Sequence, residues 1–440
     1  MPSSNPSSPI QSTASARTVL VIGADGFLAG YILAALRGSG WRVLRGVRRA
    51  GALREDERRC DLTRLTRPGD WLPVLAGVDA VVNASGILRE AGAQRFATIH
   101  VDAPLALARA CVSAGVSRYV QVSALGRPED GEFVASKHRF DEALLALPLE
   151  AVVLRPSVVY ATSGSYGGTS LLRALAAFPG MQLLPGDARW PIQPVAAEDL
   201  GALVARALDT GARGIYDVGG PEPLSLRAYQ NAWRRWLRID GTRAWQVPEA
   251  LVSLQVRIGE WLGRGPVGTT MWRMLRRGNT TAPQAGARLR ESFGIAPRGL
   301  DEVLAAHPSQ VQDRWQAQLY FLAPSLRVAV VALWLLSAWA GWATPVAEIE
   351  RLAADTALAQ WAPVALARAT ATLDLVLAVW LASAWRPRWA LALMGLSVAA
   401  YTLVFGALLP GLWLDPLGGL AKNLVLLPAL AVAWVLAERR

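Results

Sequence analysis

A glycine turn between an apolar strand and an apolar helix is the feature that most constrains this chain. Apolar residues 19–22 predict a buried strand, and helical spacing of apolar residues begins at Phe27. The turn between them contains Gly23, Asp25 and Gly26. A helix that starts here leaves unpaired backbone N–H groups at the end of the helix dipole that favours negative charge. The stretch therefore predicts an α/β domain that holds the diphosphate of a dinucleotide.

The composition indicates two unlike parts. More than one domain is expected in 440 residues, and the hydrophobic fraction of 52% is concentrated towards the C-terminus. The formal charge of +11 comes from widely spread arginines, without the aromatic-interleaved basic stripe of a nucleic-acid-binding surface. Arginines beside membrane helices explain part of this charge. No nucleic-acid partner is therefore expected.

Cysteine and histidine usage predicts neither a disulfide framework nor a metal site. The chain has two cysteines, Cys60 and Cys111, both in apolar surroundings, and three histidines. Residues 1–16 are rich in Ser and Pro and lack an apolar core. They are expected to form a disordered tail and not a signal peptide.

The ends of the second and third predicted strands point to the adenosine half of a cofactor. Arg48 and Arg49 stand where an acidic residue would bond the ribose 2′-hydroxyl of NAD. Two guanidiniums suit a 2′-phosphate instead, so NADP is the predicted cofactor and NAD the alternative. A solvated basic turn is the other interpretation of these arginines. Asp61, followed by Leu62, is expected to meet the adenine.

The next two strands end in small and polar residues. The fourth predicted strand leads into Asn83, Ala84, Ser85 and Gly86, and the fifth ends near Ser123. Ligands of open parallel sheets bind beyond the carboxyl ends of the strands. The first four of these residues are therefore expected to line the cofactor crevice.

Taken together, the motifs of residues 17–310 resemble those of extended, atypical short-chain dehydrogenases/reductases (SDRs), and among these the branch related to the Rossmann-type accessory subunit of respiratory complex I. Besides the glycine turn and strand ends, the resemblance rests on three later segments: Leu154 to Tyr160, Gln193-Pro194-Val195 with Glu198-Asp199, and Tyr216 to Pro221. It implies a Rossmann fold, with a doubly wound parallel sheet and a small substrate lobe. It also implies cofactor contacts at five further residues: Phe27, Leu28, Pro156, Ser157 and Val158.

The same resemblance assigns the reacting residues and shows one departure. Active SDRs carry a Tyr four residues before a Lys, and its phenol exchanges a proton with the substrate. Here that position is Phe133, whereas Lys137 and Ser123 match the pattern. Lys137 is implied to hold the nicotinamide ribose. Tyr160 and Tyr166 are alternative proton donors, although core or loop packing also explains them.

The substrate lobe is expected mainly in residues 222–310. Its predicted helices are Leu226–Leu237, Pro248–Leu262, Thr269–Arg277 and one near Leu300–Ala306. The second of these carries an apolar face of Leu251, Leu254, Ile258 and Trp261. Burial in the lobe is the expected role of this face, and contact with a membrane surface is the alternative.

A predicted linker, residues 311–325, leads to a membrane domain of residues 326–440. Four apolar runs have about the length of a membrane span: Leu326–Ala343, Ala365–Ala384, Trp389–Leu409 and Leu417–Leu436. Arginines flank the first run, join the second to the third and end the chain, whereas the other connections are mainly acidic. The positive-inside rule then places both termini and the SDR domain on the cytoplasmic side of an inner membrane.

This C-terminal end resembles the DoxX-like family of four-helix membrane proteins, most specifically in the segment from Leu414 to Asn423. Some members of that family are linked to quinone-dependent oxidation. Asp374 and Lys422 fall inside predicted spans, where each costs about 2.5–3.5 kcal/mol at a helix centre. They are expected to pair inside the bundle. The alternative is a protonated Asp374 and a Lys422 that snorkels to the interface.

Three functions remain open from the sequence. The first is a membrane-anchored NADP(H)-binding oxidoreductase that acts on a lipophilic or quinone-like substrate. The second is a non-catalytic redox sensor, or a scaffold for a respiratory or quinone-biosynthetic complex. The third is a nucleotide-sugar epimerase or dehydratase. Phe133 favours the second, whereas the intact substrate lobe and the charges within the spans favour the first.

Overall fold

The computed structural model describes residues 17–49, 51–241, 243–261, 268–354, 356–414 and 419–438. The chain divides into two compact units, Met1–Ala317 and Gln318–Arg440. The predicted tail, residues 1–16, lies outside the described residues.

The described residues form thirteen strands and sixteen α-helices. The strands are β1 (Thr18–Ile22), β2 (Arg42–Val47), β3 (Glu57–Arg59), β4 (Ala80–Asn83), β5 (Arg118–Val122), β6 (Glu150–Pro156), β7 (Val159–Tyr160), β8 (Gln182–Pro185), β9 (Pro191–Ile192), β10 (Val195–Ala196), β11 (Gly214–Val218), β12 (Leu224–Ser225) and β13 (Ala244–Val247). The helices of the first unit are α1 (Phe27–Gly38), α2 (Pro68–Trp71), α3 (Ala103–Ala114), α4 (Glu132–Leu145), α5 (Gly168–Ala176), α6 (Ala197–Asp209), α7 (Leu226–Trp236), α8 (Glu249–Trp261), α9 (Thr269–Arg277), α10 (Ala285–Phe293) and α11 (Leu300–Ala306). The remaining helices are α12 (Val311–Ala343), α13 (Val346–Ala353), α14 (Pro363–Ser383), α15 (Pro387–Leu408) and α16 (Asn423–Leu436).

A seven-stranded parallel sheet confirms the predicted Rossmann architecture. Its strand order is β11-β6-β5-β4-β1-β2-β3, so the direction of winding reverses between β1 and β4. Apolar cores cover both faces, with α1 and α6 on one side and α3 and α4 on the other. Burial on both faces explains why β1 is a continuous apolar run. The cleft at the β1–β4 reversal is where ligands of such sheets bind.

The substrate lobe draws on more of the chain than residues 222–310. Its apolar core joins α7 and α11 to α5 and to the small β-structures between residues 182 and 196. Three two-stranded sheets, β7–β10, β8–β13 and β9–β12, connect these parts. The predicted helices Thr269–Arg277 and Leu300–Ala306 are present with those bounds, whereas α10 was not predicted.

The expected burial of one apolar face of α8 is wrong. Leu251, Leu254 and Ile258 are each about half exposed, and Trp261 is 85% exposed. Val256, on the opposite side of the helix, is the buried residue of α8. On that side Val256 is accompanied by Glu249, Ser253 and Glu260, whose side chains bond to α9, so the more polar side of α8 packs against the lobe.

The second unit is a bundle in which α12, α14, α15 and α16 contribute to one apolar core. Three of these helices, α12, α14 and α15, are long and apolar enough to cross a membrane. Within the fourth predicted span, Leu417–Leu436, the described residues form an apolar helix from Leu420 to Leu436, which begins as a 3-10 turn, becomes α16 at Asn423 and contains Pro428. Residues 311–325, predicted as a linker, are helical and belong to α12.

The predicted pair of Asp374 and Lys422 is wrong. The Ser337 hydroxyl donates to Asp374 Oδ2 at 2.6 Å, which joins α12 to α14. Among the ion pairs of the described residues, none joins Asp374 to Lys422. Arg368 donates instead to the carbonyl oxygens of Gly341, Trp342 and Thr344, at the C-terminal end of α12. This guanidinium satisfies carbonyls that the helix end leaves unpaired.

Candidate functional site

The glycine turn places backbone donors at the reversal of the sheet. Gly23 has φ +78°, and a Cβ built on it would lie 2.9 Å from Ser85 Cα. A side chain at Gly23 would therefore collide with the end of β4. The Gly26 N–H donates to Gly23 O at 2.9 Å, and α1 begins at Phe27 without a side-chain cap. The first backbone N–H groups of α1, which no side chain caps, could therefore hold a diphosphate. Leu28 lies in this first turn of the helix.

A cleft of about 520 Å³ lies beside α1, and Asp25, Arg45 and Arg54 are among the residues that line it. Arg45 bonds Asp25 at 3.0 Å, and Arg49 forms an ion pair with Glu57. Glu57 is buried, and the Arg54 backbone N–H, with Arg49 as a further cause, holds the pKa of its carboxyl below the ordinary value. In the part of the chain that the structure describes, Arg48 is exposed and has no ion pair.

Asp61 and Leu62 follow β3. Asp61 Oδ1 accepts the Thr63 hydroxyl at 2.7 Å and the Thr63 N–H at 3.1 Å, so this carboxylate stabilises its own turn. Leu62 packs into the core beneath the sheet. Because Leu62 is buried, an adenine could contact only the exposed edge of this turn.

Asn83 faces the protein and not the crevice. It donates to Gln121 Oε1 at 2.9 Å and accepts from the Ser85 N–H and hydroxyl. Ala84 follows β4 and packs partly against the core. Asn83 therefore positions the turn whose exposed end is Gly86.

Lys137 lies at the centre of the site. Its ammonium is buried and donates to Val122 O at 3.1 Å and to Ser85 O at 3.4 Å. A Cβ on Gly86 would lie 3.2 Å from Lys137 Nζ, so the absence of a side chain there keeps the ammonium approachable. Burial lowers the pKa of Lys137 to about 8, against the opposing effect of Asp141. The residue can thus hold or release a proton near neutral pH.

Ser123 belongs to a buried polar cluster that the sequence did not reveal. Its hydroxyl donates to Asp141 Oδ2 at 2.8 Å, and Arg155 Nε donates to the same oxygen at 2.9 Å. Burial raises the pKa of Asp141. The hydrogen bond from the Ser123 hydroxyl and the charge of Arg155 act in the opposite direction and lower it. The Ser123 hydroxyl is engaged in this cluster and is not presented to a substrate. Asp141 follows Lys137 by four residues, a helical spacing that could have identified it.

Phe133 packs in an aromatic cluster. Its ring centroid lies 5.8 Å from that of His100 and 6.4 Å from that of Phe96. His100 Nε2 accepts the Ile87 N–H at 3.0 Å, so the proton of the neutral ring is on Nδ1 and faces the Ser136 hydroxyl. Burial, with Lys137 as the second cause, lowers the pKa of His100 to about 2. The wall beside Lys137 is therefore aromatic and uncharged.

The two alternative tyrosines differ in placement. Tyr160 is buried against Trp233 in the lobe core, and burial raises the pKa of its phenol. Tyr166 is 59% exposed and stacks on Phe27 at 6.2 Å, next to the glycine turn. Of the two, Tyr166 has the phenol that a ligand can reach.

The strand end after β6 turns its side chain towards the lobe. The Ser157 hydroxyl donates to Asn279 O at 2.7 Å, and its N–H donates to Val218 O at 2.8 Å. Pro156 ends β6, and Val158 packs partly against the lobe core. These three residues join the sheet to the lobe and leave backbone and apolar atoms for a cofactor.

The described residues offer no set of side chains that could bind a metal ion. They contain no group of three or more His, Cys, Asp and Glu side chains able to hold an ion. Both cysteines are buried, and burial raises the pKa of each thiol to about 12.

Two family models match separate parts of the chain. Residues 19–178 match the NAD dependent epimerase/dehydratase family, and residues 331–434 match the DoxX-like family. The chain joins an extended-SDR domain to a DoxX-like membrane domain. The SDR domain binds a nicotinamide dinucleotide.

Solved structures agree with this SDR fold. MoeE5 in complex with UDP-glucose and NAD is 20% identical, with a TM-score of 0.50, over 68% of this chain and 99% of its own. An epimerase candidate from Burkholderia cenocepacia is 15% identical, with a TM-score of 0.51, over 69% and 99%. At these identities the likeness shows the fold alone. No functionally curated protein matches the chain.

Proposed function

We propose that this protein is a membrane-anchored, NADP(H)-dependent oxidoreductase that acts on a lipophilic, quinone-like substrate. The observation that carries the proposal is the pairing of Lys137 with an aromatic wall at the reacting end of the site. This arrangement offers an apolar surface and one cation, but no phenol at position 133.

The absence of a phenol at position 133 makes some hydride acceptors better substrates than others. A ketone becomes a strongly basic alkoxide, so its reduction depends on a positioned proton donor. A quinone becomes a phenol-like anion, and phenols titrate near pH 10, which makes the anion far less basic. A single buried ammonium can stabilise that anion. The site therefore suits a quinone better than a simple ketone.

The chain's residues then have separate roles. When bound, the nicotinamide supplies the hydride, and reduction of a quinone needs one further proton. Lys137, with its pKa near 8, can hold that proton at the reacting end. Phe133 and Phe96 provide apolar contact for a ring. The neutral His100 bonds the Ser136 hydroxyl through Nδ1 and accepts the Ile87 N–H at Nε2, so it orients Ser136 and the backbone next to Gly86.

The preference for NADP rests on Arg48. Arg48 directly follows β2, is exposed, and has no acidic partner among the described ion pairs. An exposed, unpaired Arg can bind a 2′-phosphate with charge-assisted hydrogen bonds. Asp25 and Glu57 are each already bonded to arginines, which reduces their repulsion of that phosphate.

We further propose that the protein lies in an inner membrane with both termini cytoplasmic, a placement that the arginines beside the predicted spans support. Reporter fusions after Arg388 and after Arg440 should both report the cytoplasm. A periplasmic report at Arg440 would show that the apolar helix Leu420–Leu436 does not cross the membrane.

The test of activity is a turnover assay on the full-length protein in mild detergent. NADPH oxidation should proceed with a short-chain ubiquinone analogue and be negligible with cyclohexanone. Lys137→Met should lose most of the quinone reaction. Turnover with the ketone but not with the quinone would contradict the proposal.

A second candidate is a non-catalytic NADP(H)-binding sensor or scaffold of a respiratory complex, which the absence of a phenol at Phe133 favours. It predicts cofactor binding without turnover on any acceptor. A third, a nucleotide-sugar epimerase, is supported by the family match at residues 19–178. It predicts that UDP-glucose binds the full-length protein and is converted.

A further inference from the structure

The exposed side of α8 is an apolar stripe with a defined width. Helical residues advance by about 100°, so Leu251, Leu254, Ile258 and Trp261 fall within an arc of about 80°. Their side chains are 54%, 53%, 48% and 85% exposed. Soluble proteins rarely expose so many large apolar side chains in one row, and such patches mark interaction sites.

The opposite side of α8 is fixed to the lobe. Val256 is buried, and the buried Trp272 of α9 donates from Nε1 to the Ser253 hydroxyl at 3.0 Å. Arg276 of α9 also pairs with Glu249 at 3.1 Å. The orientation of the helix is therefore set from within the lobe, and the outward stripe is not a consequence of loose packing.

Charge and aromatic content match the surface of a lipid bilayer. Arg257 flanks the stripe on the helix, and Arg243 precedes it; both are exposed and neither has an ion pair among the described residues. Trp245, 60% exposed, lies shortly before α8, and Trp261 ends it. Trp at the level of lipid headgroups, with basic residues beside it, is typical of helices that lie in the membrane interface.

A bilayer is also the surface that this chain always has nearby. The same polypeptide carries three helices able to span a membrane, so the lobe is tethered to the bilayer by its own sequence. We infer that the outward stripe of α8 lies in the membrane interface and holds the substrate lobe against the lipid, with anionic headgroups meeting Arg243 and Arg257.

Spin labels on the full-length protein test this contact. Ile258→Cys places the label in the stripe, and Val112→Cys places it on α3, where Val112 is 39% exposed. The native Cys60 and Cys111 are buried and do not compete for the label. In proteoliposomes with anionic lipid, the label at 258 should collide more often with oxygen than with a water-soluble nickel chelate. The label at 112 should show the reverse.

A second substitution links the result to the stripe. Leu254→Glu in the Ile258→Cys chain should shift the label at 258 towards the water-like values of position 112. Water-like values at 258 in the parent chain would overturn the inference. The inference would also be overturned if neither oxygen nor the nickel chelate reached the label at 258. Protein, from this chain or from a second copy, would then cover the stripe.

Discussion

Replacement of Lys137 by Met tests the electrostatics of the site through its effect on stability. Burial lowers the pKa of Lys137 from 10.5 to about 8. Between these values the unfolded chain binds the proton more tightly than the folded one, so this residue makes the domain more stable as pH rises. At about 1.36 kcal/mol per pH unit, the free energy of unfolding rises by roughly 3 kcal/mol across this range. The equilibrium constant for unfolding of the domain then falls about 300-fold.

Cys111 provides the readout in the full-length protein. Its side chain is fully buried in α3, so a maleimide labels it only when the sheet domain opens. The labelling rate of wild type, divided by that of Lys137→Met, should fall about 300-fold from about pH 7 to about pH 11. The ratio cancels the intrinsic pH dependence of the thiol, which both proteins share. A ratio that does not change with pH would refute the proposed burial of a charged lysine.

Three further outcomes are expected. Phe133→Tyr should add reduction of a simple ketone while leaving NADPH affinity unchanged, and a variant inactive towards ketones in the same assay would contradict the role given to position 133. Arg48→Ala should weaken NADPH binding by about 1.5–3 kcal/mol and leave NADH binding unaltered, as measured by titration; equal losses for both cofactors would be inconsistent with a 2′-phosphate contact. For the Ser337 hydroxyl bond to Asp374, a double-mutant cycle with Ser337→Ala and Asp374→Asn in detergent should give a coupling of about 0.6 kcal/mol, and strictly additive losses would argue against it.

The sequence predicts the frame of the SDR domain well because its signals are local. The apolar run of β1, the turn at Gly23 and the start of α1 at Phe27 all depend on neighbouring residues. The bounds of Thr269–Arg277 follow likewise from a compact helical pattern. The order of strands in the sheet comes from the family resemblance.

The orientation of site side chains depends on distant partners, and here the sequence is less informative. Asn83 faces inwards because its amide donates a hydrogen bond to Gln121 on β5, and Ser123 faces inwards because its hydroxyl donates a hydrogen bond to Asp141 on α4. For α8 the sequence favours burial of the apolar face over contact with a membrane, because the bonds of Glu249 and Ser253 to α9, which fix the opposite side, are not visible in the sequence. Hydropathy likewise does not reveal that the fourth apolar segment begins as a 3-10 turn at Leu420 and becomes an α-helix only at Asn423.

The most direct test of the proposed function is a single turnover of the full-length protein in lipid nanodiscs. NADPH, protio or deuterated at the transferred position, is mixed with the protein and a short-chain ubiquinone analogue, and cofactor absorbance is followed. The account predicts rapid oxidation that is slower with the deuterated cofactor, and a loss of the reaction in Lys137→Met. Tight NADPH binding with no oxidation by any quinone would contradict it and identify the protein as a binding module.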